Sequence, residues 1–132
     1  MRLCEVVDEL AEIVTALEPD AYSGSDAAQL ASLFERAERL SAAGKALTAR
    51  RAADCGEWSR QGARSAEHWL AGLWGTEHSS AQATLDTARA ARTDPRLDEA
   101  LRTGEVSAAQ AGHIARATGG DPEATERLVQ SA

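Results

Sequence analysis

Three His, two Cys and 21 acidic residues supply the groups from which a metal site or an activated nucleophile could be built. A structural zinc site takes four ligands at close local spacings, such as paired Cys two to four apart and paired His three to five apart. Cys4 and Cys55 are distant in the chain, and His68 and His78 stand ten positions apart, so no metal site is expected. Cys55 as a nucleophile needs a partner base, and the sequence supplies none. "GEVSAAQAG" opens on a glycine that ends a helix and lacks the Lys of a phosphate-cradling loop. Neither catalysis nor a cofactor is therefore expected, and no small-molecule ligand. Both thiols are expected to be small core residues, the usual place of a free Cys.

The stretch "SAEHWLAGLWGTEHSSAQATL" at 65–85 holds two of the three Trp and two of the three His. Ala71, Gly75 and Ala81 are spaced compatibly with a DNA-binding helix-turn-helix, but an Ala-rich helical hairpin with a Gly turn fits the same template. The second helix of that unit presents Gln82, Thr84 and Asp86 and gains Arg only at Arg89 and Arg92. Base-reading helices carry Arg, Asn, Gln or Lys near their N-terminal end, and only Gln82 qualifies. Trp69 and Trp74 are read instead as core, with Trp69 the residue least expected to tolerate Ala.

Charge is distributed unevenly. The net charge is −7, which disfavours tight non-specific nucleic-acid binding by the chain as a whole. Residues 1–34 carry net −6, residues 35–64 net +3, residues 65–93 net −1 and residues 94–132 net −3. Any phosphate-facing surface is thus expected within 35–64. Arg50, Arg51, Arg60 and Arg64 are the candidate nucleic-acid contacts, weighed against a solvated face paired to Glu57 or to the acidic first helix.

The elements that must position these residues are all helical. Ala dominates, strand-favouring residues are scarce, and Gly and Pro fall between periodic segments. No apolar run approaches the roughly 20 residues that span a bilayer, and the N-terminus carries acids inside its apolar pattern, unlike a signal peptide. A cytoplasmic protein is expected. Leu3, Val6, Val7, Leu10, Ile13, Val14 and Leu17 recur at helical spacing, predicting an amphipathic helix over 3–18. Ser25 is the expected cap of a second helix of about 30 residues. Trp58 is a candidate to close its stripe, and Gly44 marks a close approach or a bend. Short helices follow. One runs from Ser65 to Gly75 with Trp69, Leu70 and Leu73 on one face; one starts near Ser79 or Ser80 and carries Ala81, Leu85 and Ala88. Further helices open at Asp94–Pro95, at the capping box Ser107–Gln110, and after "GGDP", with Leu128 and Val129 inward. The expectation is an all-α bundle forming a single domain over 1–132. It has two long helices in 1–58 and an array of short helices, including helix-turn-helix-like hairpins, in 59–132.

"GARSAEHWLAGLWG", then a helix, then "DPRLDEALRTGEVSAAQAGHIARA" resembles the actinobacterial domain of unknown function 222, also called the 13E12-repeat family. The shared features in order are Gly62, Ser65, Trp69, Leu70, Gly75, Pro95, Ala100, Leu101, Gly104, Ser107, Gln110 and Ala111. The resemblance implies a helical architecture and an association with DNA metabolism, since members often precede an HNH nuclease module. That module needs His and Asn around a metal, and this chain has no Asn. The resemblance therefore implies a non-catalytic domain, either the N-terminal part of a larger protein or a stand-alone version, that binds or positions DNA. The alternative is an interaction module in which the stripe of 3–17 and the long second helix form a homodimer or dock a partner helix.

Overall fold

A computed structural model describes residues 1–132. The chain is all-helical: α1 (Arg2–Thr15), a 3-10 turn (Pro19–Ala21), α2 (Gly24–Asp54), α3 (Glu57–Arg60), α4 (Ala66–Trp74), α5 (His78–Thr93), α6 (Pro95–Thr103), α7 (Ala108–Thr118) and α8 (Pro122–Ser131). It divides into two compact units, residues 1–35 and 36–132, the division falling inside α2.

The first unit holds α1, the 3-10 turn and the start of α2. Not one of its residues is buried. The cap of α2 lies two residues before the expected one: the Ser23 hydroxyl accepts from the Asp26 N–H at 3.1 Å, and Ser25 is already helical. The stripe predicted on α1 is present and faces outward, with Leu3, Val6, Val7, Leu10, Ile13 and Val14 all exposed.

The second unit holds the core, in two clusters. One gathers Ala43, Ala91, Leu97, Ala100, Leu101, Val106, Ala111, Ile114 and Val129. The other gathers Ala49, Ala53, Ala66, Leu70, Ala81 and Leu85, with Trp58, Trp69 and Trp74 half-buried against it. α2 contributes to both, through the small stripe Ala43, Ala46, Ala49 and Ala53. Gly44 on the same helix has nothing within 4 Å of where a Cβ would stand, so it admits no close neighbour. Ten of the seventeen buried apolar residues are Ala. Small side chains let helix axes approach to the short end of the usual 8–10 Å spacing.

Local chemistry sets the helix ends. Ser65, Asp94 and Ser107 each accept a backbone N–H in the first turn of α4, α6 and α7, and Ser107 with Gln110 completes a capping box. Gly75, Gly104 and Gly119 end those helices or α7 in the left-handed region, with φ of 67°, 75° and 57°, where a Cβ is disfavoured. α3 is an element that periodicity did not predict. Left-handed Gly56 stops α2, so Trp58 starts a new short helix rather than closing the old stripe. Its indole Nε1 donates back to the Ala53 carbonyl at 3.2 Å.

Polar ties join the short helices. Asp94 is buried; its Oδ1 caps α6 at the Leu97 N–H, and its Oδ2 accepts from the buried Thr125 hydroxyl of α8 at 2.6 Å. Arg96 bridges Glu126 of α8 and Glu105 after α6, meeting Glu105 with two hydrogen bonds of 2.9 and 3.0 Å. Those bonds hold the Glu105 carboxyl below its ordinary value of 4.5. A depressed carboxylate stabilises the fold above its unfolded-state value and ceases to do so as pH falls through its folded-state value. A Glu105→Gln variant will therefore be less stable than the parent at neutral pH. The difference will close as pH drops below about 4.5, which denaturant unfolding across a pH series would record. A gap independent of pH would remove the ion pair from the explanation.

Candidate functional site

The four Arg chosen from the sequence do not form one surface of equivalent cations. Arg50 is largely buried, its side chain 20 % exposed, and lies 3.8 Å from Asp54 on the same helix. Arg60 is held by Glu57 at 2.8 Å. Arg51 and Arg64 are exposed and have no carboxylate within ion-pair distance. The expected pairing to Glu57 thus applies to Arg60. The Arg residues of α5 are also engaged, Arg89 with Glu67 and Asp86, and Arg92 with Asp54 at 3.7 Å.

α4 has the predicted caps, Ser65 and Gly75, but a different inward face, and α5 starts at His78 after Glu77, which makes no side-chain cap. Ala66 and Leu70 are buried and Trp74 is half-buried, a spacing of four that keeps one helix face. Trp69 sits about 100° round from Leu70 and is half-buried; Leu73, one turn further on, is 64 % exposed. The expected centre at Trp69 moves to Leu70, and the three indoles form the margin of the cluster. Trp74 also carries the Lys45 ammonium 4.3 Å above its ring centre, a cation–π contact. Gln82, the one base-reading candidate of α5, is exposed.

His68 and His78 come within 6.4 Å, ring centre to ring centre. No group of three or more His, Cys, Asp or Glu gathers around them or elsewhere. Both thiols, expected in the core, are exposed: Cys4 lies on a helix with no buried residue, and Cys55 lies in the turn that follows α2.

One feature emerges that sequence spacing did not single out, and a second extends the stripe already read on the first helix. The first is a cleft of about 260 Å³ in the second unit, where Arg50, Arg92 and Arg102 meet from α2, α5 and α6. Their separation in the chain hides the grouping. The second is the register of the α1 face. Val7 and Val14 occupy one core position of a heptad and Leu3 and Leu10 the other, the β-branched/Leu alternation of parallel two-stranded coiled coils. The flanking heptad positions hold Cys4, Val6, Ala11 and Ile13, all uncharged, while Glu5, Asp8, Glu9 and Glu12 lie on the outer positions. No helix is long and apolar enough to cross a membrane. Comparison with protein-family models, with curated proteins and with solved structures finds no match.

Proposed function

We propose that the chain is a non-catalytic helical association module in which α1 pairs with α1 of a second copy. The observation that carries this is the exposure of the entire apolar face of α1, in a unit without one buried residue. A contiguous apolar face of this kind marks an interaction site, and a helix of 14 residues is marginal in water unless that face is covered. A second copy suits the charge pattern, because the acids sit away from the seam and the residues beside it are neutral, so two copies meet without like charges opposed. Sedimentation equilibrium of the full chain is expected to show a concentration-dependent mass reaching the dimer. Leu10→Asp is expected to return the monomer mass at every concentration while the unfolding of the second unit is unchanged. A parent chain that is monomeric throughout overturns the proposal.

DNA positioning is the second reading. It is supported by the free cations Arg51 and Arg64 and by the resemblance to a domain found ahead of nuclease modules. The tethering of Arg60 and the inward turn of Arg50 reduce the four candidate contacts to two. At about −0.9 per neutralised phosphate, the log–log slope of affinity against salt is expected near −2 rather than −4. Absence of duplex binding at low salt removes this reading and leaves the first intact.

A further inference from the structure

The cleft between α2, α5 and α6 belongs to neither of those readings. Arg50, Arg92 and Arg102 line it together with one acid, Asp98, and with apolar residues that include Leu47, Ala91 and Pro95. We propose that it binds a phosphate monoester attached to a small apolar body.

Three observations support this. The first is unspent hydrogen-bonding capacity. Arg50 Nε is buried with no hydrogen-bond partner, a costly arrangement that a shift of the side chain toward a ligand would relieve. Asp54 stands 3.8 Å from Arg50 and 3.7 Å from Arg92, within Coulombic range of both but beyond hydrogen-bonding distance of either. Arg102 donates to Asp98 through Nε at 2.9 Å, which leaves its terminal nitrogens for another acceptor. Guanidinium groups grouped in this way are suited to the oxygens of phosphate, which they bind through paired N–H donors.

The second observation is charge. The lining carries three cations against Asp98, with Asp54 beside Arg50 and Arg92; the surplus is one with Asp54 in place and two once it swings away, and a phosphate monoester at neutral pH carries about −1.5 to −2. The third is size. A volume of about 260 Å³ is many times the roughly 30 Å³ of one water, room for a body larger than a phosphate group alone. An apolar group esterified to it would lie on Leu47, Ala91 and Pro95. Asp54 is then the competitor of the ligand for Arg50 and Arg92, and it gives way on binding.

Calorimetric titration of the full chain in low-chloride buffer tests this with phenyl phosphate, inorganic phosphate and a DNA duplex lacking terminal phosphates. Phenyl phosphate is expected to bind one to one with a Kd of about 1 mM or tighter, and more tightly than inorganic phosphate. Arg92→Gln and Arg102→Gln, both at side chains more than half exposed and so harmless to the fold, are each expected to weaken it about tenfold. Asp54→Asn is expected to tighten it about threefold, a gain that unfolding cannot mimic. No saturable binding of phenyl phosphate overturns the proposal, as does binding that all three substitutions leave unchanged. A duplex that displaces phenyl phosphate overturns the monoester assignment in favour of backbone phosphate. Because every readout concerns residues of the second unit, the result is independent of whether α1 dimerises.

Discussion

Leu101→Ala will destabilise the second unit by about 2–5 kcal/mol. Leu101 is wholly buried on α6, in the cluster that also receives Leu97, Val106, Ile114 and Val129. Shortening it removes apolar contact and leaves a cavity in a cluster where four of the other eight buried members are Ala, which have no side chain long enough to swing into the space. The loss therefore belongs toward the upper part of that range. For a unit of this size each kcal/mol lowers the melting temperature by roughly 4–8 °C, so a drop of well over 10 °C is expected in thermal unfolding followed by circular dichroism. Domains of this kind are stable by only about 5–15 kcal/mol, and the variant will be partly unfolded at moderate temperature. A change below about 1 kcal/mol would mean that the cluster relaxes around the missing atoms, against the tight packing usual for protein interiors.

The second large effect is expected at Asp94→Ala. The substitution removes the α6 cap, typically about 1 kcal/mol, and removes the charged acceptor of the buried Thr125 hydroxyl. That hydroxyl has one hydrogen and a second acceptor within reach, the Asp121 carbonyl at 3.0 Å, so it can redirect its donation. The expected total is about 2 kcal/mol rather than the sum of a lost cap and a stranded donor. Thr125→Val in the Asp94→Ala background should then cost less than Thr125→Val alone, because the carboxylate it would strand is already gone. Chemical denaturation of the four members of this cycle gives the coupling. Additive effects would show that the Asp94–Thr125 hydrogen bond contributes nothing of its own.

The features legible in the sequence are those decided by a few neighbouring residues. Ser65, Asp94 and Ser107 cap helices because their side chains reach a backbone N–H two or three positions on. Gly75, Gly104 and Gly119 end helices because they alone adopt the left-handed conformation cheaply. The apolar register of α5 and α6 was also legible, since Ala81, Leu85, Leu97 and Leu101 recur at helical spacing. What escaped depends on contacts between distant segments. The spacing of α4 admits two adjacent faces, and only packing against α5 selects Leu70 over Trp69. Cys4 and Cys55 are buried or exposed according to what covers them, which their neighbours in the chain do not specify. Among the candidate contacts, Arg50 lies in a basic stretch that spacing alone reveals. Its meeting with Arg92 and Arg102 arises from the folding of three helices and leaves no mark in the spacing.

The preponderance of Ala in the buried positions has a consequence for how this chain can vary. At an Ala site almost every available substitution enlarges the side chain, so harm comes from crowding, which typically costs 1–3 kcal/mol by displacing neighbours, rather than from empty space. Only the seven larger buried apolar residues and the buried Thr87, Asp94 and Thr125 can fail by shrinking. Sequence drift is thus constrained mainly by an upper limit on volume along α2 and α5. Variants of this protein that still fold are expected to exchange Ala for Gly, Ser or Cys at those sites well before they accept Val or Leu.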